Sequence, residues 1–133
     1  MVDVINIPRR VKNLVDKWGT ANPFSLCKYL GILIIYKDLG EIKGYSMKRL
    51  GKKLICINEN LNEVDKLFTC AHEMGHLLCH NFEDLKFLKE NTNLVNISSY
   101  ENEANLFAKE LLKDNQCWCR YSKINPKYWE IFR

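Results

Sequence analysis

Residues 68–80 read Phe68-Thr69-Cys70-Ala71-His72-Glu73-Met74-Gly75-His76-Leu77-Leu78-Cys79-His80. On a helix, residues four apart stand one above the other on one face, so His72 and His76 can present two imidazoles to a single metal ion. Glu73, one step round, reaches the space in front of that ion. Two neutral nitrogens, with a carboxylate placed to take a proton from water, form the zinc-hydrolase pattern. The flanks belong to a buried helix: Leu67, Phe68, Ala71, Met74, Leu77 and Leu78 fill the sides that the histidines leave. Asn60 and Asn62 are both cap candidates, with Glu63 and Asp65 three residues on, which predicts a helix from about 62 to 80. Gly75 inside it costs about 1 kcal/mol against Ala, and points either to a close backbone approach or to a tolerated imperfection. A histidine pair buried without a metal would need hydrogen-bond partners that this segment scarcely offers.

Two histidines do not complete a catalytic zinc site, which takes three protein ligands and keeps one position for water. His80 continues the row, but on a straight helix it stands about 12 Å from His72 along the axis, too far for one ion to bridge. A residue at the rim, a neighbour that hydrogen-bonds a ligand, or a polar helix end describes it better. The other source is the stretch Ser98 to Leu112, where Ala104, Phe107, Ala108, Leu111 and Leu112 form an apolar stripe and predict a helix over 98–113. Glu101 lies nearer the middle of that stripe than Glu103. It also forms an i, i+4 pair with Asn105, which could orient a ligand from one turn on. Spacing alone leaves Glu101 two roles, the third ligand or the capping-box partner of Ser98.

At 133 residues, 47% hydrophobic and 27% charged, the chain has the size and composition of one ordinary globular domain, 1–133. The start, Met1 to Arg10, lacks the apolar core of a signal peptide, and the longest apolar run, Leu30 to Tyr36, is too short to span a bilayer. The expectation is a cytoplasmic protein with reduced thiols. Of the six cysteines, Cys27, Cys56, Cys70 and Cys79 sit in apolar surroundings and read as small core residues. Cys117-Trp118-Cys119 has poor zinc spacing. The net charge of +4 is spread along the chain, so a DNA-binding reading has little support. Residues 9–19 and Pro23 to Leu30 read as helices, the second with Asn22 as cap and Gly31 as stop. Ile32 to Tyr36, Gly44 to Arg49 and Leu54 to Asn58 read as strands, with Leu50 to Lys53 as a turn. Residues 81–97 are a polar connection with a possible helical turn at Leu85 to Leu88, and the tail 114–133 has no clear pattern.

The segments Phe68 to His80 and Glu101 to Leu112, with Gly44-Tyr45-Ser46 and Ile55 to Asn58, resemble the ImmA/IrrE-type metallopeptidases over about residues 10–113. The likeness ends after Leu112, where Lys113-Asp114 replaces the family's usual Met-Pro. The resemblance implies an α+β, zincin-like domain: a small three-stranded sheet packed on helices, a zinc helix and a third-ligand helix. It implies zinc held by His72, His76 and Glu101, with Glu73 as general base and with Asn105 and His80 as neighbours of the ligands. It also implies a protein substrate, a helix-turn-helix repressor of a mobile element or stress pathway, without direct nucleic-acid or membrane binding. The residues left outside the likeness are too few for a helix-turn-helix module or a large sensor domain of the chain's own. An extended substrate would add a strand beside the Gly44 or the Leu54 region, and Tyr100 and His80 are candidates to stabilise the oxyanion. The rival from another class is a zinc-containing module that captures a repressor without cutting it. Such a module has no need of Glu73.

Overall fold

A computed structural model of the chain describes residues 6–80 and 97–128. The expected connection at 81–97, with its helical turn, falls almost wholly outside these residues. Two helices open the chain, α1 (Ile7–Trp18) and α2 (Pro23–Leu30). Strands β1 (Leu33–Lys37), β2 (Gly44–Arg49) and β3 (Lys52–Asn58) follow, then the long helix α3 (Glu63–Cys79). Helices α4 (Ile97–Leu112) and α5 (Gln116–Ile124) close the described chain with a 3₁₀ turn over 126–128. The fold is α+β, as the sequence predicts. The sheet order is β1-β3-β2, with β1 parallel and β2 antiparallel to β3. Strand β3 is therefore interior. Of the two regions expected to offer an edge, only the Gly44 strand lies at one among the described residues.

Asparagine starts each helix whose cap is described. Asn6, Asn22, Asn62 and Asn115 each accept from backbone N–H groups of the first turn, which the helix itself leaves without partners. Of the two cap candidates for α3, Asn62 takes the role. Asn60 instead donates to Asp38. At the other end of α3, Arg10 of α1 donates to the Leu78 carbonyl at 2.8 Å, tying two helices through an orphan carbonyl.

Helix α3 lies between the sheet and α4, and two glycines set both distances. A Cβ at Gly75 would stand 3.0 Å from Ala104 Cα and Phe107 Cβ, so only glycine lets α3 and α4 meet this closely. A Cβ at Gly44 would stand 2.7 Å from both the Cys56 carbonyl and Thr69 Cγ2, so the edge strand approaches α3 for the same reason. Buried Asn58 holds the loop before β2, donating to the Gly40 and Ile42 carbonyls. The core joins Ile7, Leu26, Ile55, Met74, Phe107 and Leu112, with Cys27, Cys70 and Cys79. Cys56 is also fully buried. Cys117 is exposed and Cys119 partly so.

The tail is where the structure adds most. Trp118 stacks on Phe68 at 4.8 Å, and Tyr128 meets both rings edge-on. Buried Asp65, in the first turn of α3, accepts from Tyr121, Tyr128 and Lys127, the last at 2.7 Å. Burial alone would raise the Asp65 pKa, but Lys127 and the two tyrosine hydroxyls outweigh it and hold the carboxyl below its ordinary value. A depressed folded pKa stabilises the fold above the unfolded value, near 4, and that contribution disappears as pH falls through the folded value. Asp65→Asn is therefore expected to be less stable than wild type at pH 7, with the gap closing below about pH 4. Urea unfolding at both pH values checks this, and a gap that persisted in acid would assign the loss to packing.

Candidate metal centre

The histidines of α3 converge as their spacing requires. Their rings lie 4.8 Å apart and nearly perpendicular, and each turns Nε2 toward α4. There Glu101 meets both: His72 Nε2 stands 3.1 Å from its Oε2, and His76 Nε2 stands 2.9 Å from its Oε1. Glu103, two residues on, faces away toward His80 Nδ1 at 3.6 Å. Helix α4 begins at Ile97, so Glu101 points from its second turn across the contact with α3. The Gly75 approach makes that reach possible.

These three donors fit a metal. The buried Nδ1 atoms of both histidines have no hydrogen-bond partner among the described residues, while both Nε2 atoms meet one shared carboxylate. A core histidine kept for structure normally satisfies both nitrogens. Donors of a tetrahedral site with bonds of about 2.0–2.1 Å stand roughly 3.3 Å from one another, close to the 3.1 and 2.9 Å that separate Glu101 from the two imidazole nitrogens. Two imidazoles and one carboxylate, with a position left for water, is also the donor chemistry of catalytic zinc.

The charges around the pair follow from this geometry. Hydrogen bonds from His72 and His76 hold Glu101 well below the usual carboxylate range, although burial opposes them. Burial pushes the His72 pKa down, but the bond to Glu101 and the charge of Glu73 outweigh it, and the net shift is upward. A contribution from Asn105 acts in the same direction, placing that side chain against His72, one turn after Glu101.

Glu73 has a different partner. It is buried, and Ser46 Oγ of the edge strand donates to its Oε1 at 3.0 Å. His72, Glu73 and His76 lie in one cluster, with ligand atoms within 4.8 Å of one another. One carboxylate thus faces both imidazole nitrogens, while the other is steered by β2. Ser46 falls within the Gly44-Tyr45-Ser46 likeness, which implies no role for it; its alternation with Gly44 places both on the face of β2 toward α3.

His80 ends α3 with extended backbone. Its side chain is buried rather than at the rim; it packs 5.3 Å from the His76 ring, and Nε2 faces the Tyr100 carbonyl at 3.2 Å. Burial and the neighbouring His76 push its pKa down. The Tyr100 ring stands edge-on to His80 at 4.7 Å.

The peptidase family model described as IrrE N-terminal-like domain, Peptidase M78, matches residues 27–115. This stretch spans β1 to β3, α3 and α4. The chain belongs to that family. The ImmA/IrrE resemblance read from the two helix motifs is borne out, and membership implies a metal ion and a protein substrate. Uncharacterized immunity region protein 2 of Bacillus phage phi105 is 41% identical over 107 residues, covering 80% of this chain and 67% of that protein. Metallopeptidase ImmA of Bacillus subtilis is 34% identical over 108 residues, covering 80% of this chain and 62% of that protein. The matches thus span about two thirds of these relatives' length. The family match ends before α5, so the segment clasped by Asp65 lies beyond it. Among the described residues no helix is long and apolar enough to cross a membrane.

Proposed function

We propose that this chain acts as a single cytoplasmic metallopeptidase domain, zinc-dependent, that cuts one protein regulator. In this reading His72, His76 and Glu101 hold the zinc. The observation that carries it is the division of labour between two carboxylates: Glu101 engages both imidazoles, and Glu73 is held apart by Ser46. When bound, the metal supplies Lewis acidity that polarises the scissile carbonyl and makes a water easier to ionise. Glu73 takes a proton from the attacking water and passes it to the departing amine as the C–N bond breaks. Ser46 donates to one Glu73 oxygen, and in this reading the other faces the water. Asn105 steadies His72, and strand β2 offers its free edge to an extended substrate.

The substrate proposed is a helix-turn-helix repressor of a mobile element. The likeness to an immunity-region protein of a phage supports this choice. Co-expression with the repressor encoded beside the gene, read by mass spectrometry, tests it. A single cut with wild type, none with Glu73→Gln, and no cleavage of casein are expected. Intact repressor in both, with zinc bound, would favour capture without cutting.

A further inference from the structure

The β2–β3 ladder extends beyond the rest of the sheet. Strand β1 pairs with β3 only from Leu54 onward, whereas β2 and β3 stay paired out to Arg49 and Lys52. The end of the hairpin is therefore a two-stranded ribbon, closed by Leu50 and Gly51, both at positive φ as a two-residue hairpin turn demands. Its residues work against its own stability. Lys48 stands directly across from Lys53, and Arg49 directly across from Lys52. Like charges facing each other across a ladder are destabilising. From Ile42 to Asn58 the chain has no Asp or Glu, and none of these four cations has an ion pair among the described residues.

Leu50 adds a third cost. It sits at φ 52, where glycine or asparagine is at ease and a leucine is strained. Its side chain is 95% exposed, so packing returns nothing. Charge on a sheet edge can serve to keep strands of other molecules away. That purpose can account for the cations on both strands, since β3 has no second partner before Leu54 among the described residues, but not for an apolar residue at the apex. A surface with concentrated positive charge around an exposed leucine is complementary to a partner carrying carboxylates and an apolar side chain.

The position of the ribbon indicates which partner. Lys48 lies on the same face of β2 as Ser46, two residues and about 7 Å further along the strand, and Ser46 holds Glu73. A segment lying along β2, an edge of the described sheet, passes Lys48 beyond Ser46 and arrives at Leu50. DNA could also be met by the cations, with an apolar apex wedged between base steps, but the ribbon continues the strand that holds Glu73, which favours the protein substrate. We infer that the tip of the β2–β3 ribbon docks an acidic stretch of the protein substrate, with an apolar residue for Leu50, beyond the residues around Glu73. This rests on the peptidase reading proposed above, but it concerns binding and not hydrolysis.

The test measures binding by fluorescence anisotropy on the full-length, zinc-loaded protein. The probes are a labelled peptide of repeating Glu-Leu-Glu-Ser, its counterpart of repeating Lys-Leu-Lys-Ser, and a short DNA duplex. The key variant is Lys48→Glu/Arg49→Glu. It sets each new carboxylate across from Lys53 or Lys52, so the ribbon should be no less stable. The expected result is preference for the acidic peptide by roughly tenfold or more, lost in the variant while its melting temperature is unchanged or higher. Leu50→Gly should also weaken the acidic peptide while relieving the turn. Equal binding of both peptides, unchanged affinity in the charge variant, or tighter binding of the duplex would each overturn the inference. Failure of the peptidase reading would appear separately, as a repressor left intact by the zinc-loaded wild type.

Discussion

Glu73→Gln is expected to leave the metal content at the wild-type level and to lower hydrolysis by about 10²–10⁴-fold, the usual contribution of a general base. Glutamine matches glutamate in size, so the buried position by Met74 and the contact from Ser46 persist. The amide cannot accept the proton of the attacking water. Parallel metal analysis and cleavage rates distinguish this from loss of the site. Undiminished cleavage with full metal would mean that another group activates the water, and Glu73 would then be left as a spacer between the histidines.

Removing Glu101 is expected to have a comparably large effect on the metal and not only on the chemistry. Glu101→Ala deletes the one group that meets both Nε2 atoms. Affinity for zinc should fall by more than about 100-fold, beyond what outer partners of a ligand normally cost. Glu103→Ala removes only the 3.6 Å approach to His80 and should leave zinc affinity nearly unchanged. Calorimetric titration of both variants separates them. A reversed order would place the ligand at Glu103.

Much of this architecture is legible because local signals coincide. Asn22, Pro23 and Gly31 mark both ends of α2, and the structure places the helix between them. The apolar stripe of α4 is buried as its spacing predicts, and Gly75 does mark a close approach. What stays hidden depends on distant partners. Asp65 reads as a carboxylate suited to the start of a helix, yet its partners lie 56 to 63 residues away. Helix α5 buries only Trp118 and Ser122 fully, too thin a stripe to declare a helix, and its one local signal was the cap at Asn115. Lys52 and Lys53 read as turn, but the ladder carries them as strand, because cross-strand pairing with Arg49 and Lys48 decides that point. For Glu101, spacing allowed a ligand or a cap, and resemblance favoured the ligand. The structure turns its carboxylate to the histidines, and Ser46 toward Glu73 was unreadable without the register of β2 against α3.

The most direct measurement is anomalous diffraction at the zinc edge from crystals of the zinc-loaded protein. One strong peak is expected, bonded to His72 Nε2, His76 Nε2 and a Glu101 oxygen, with Glu73 beside it and still in contact with Ser46. A peak bonded to Glu73 in place of Glu101, or one at His80 or at Cys117 and Cys119 with none between His72 and His76, would contradict it.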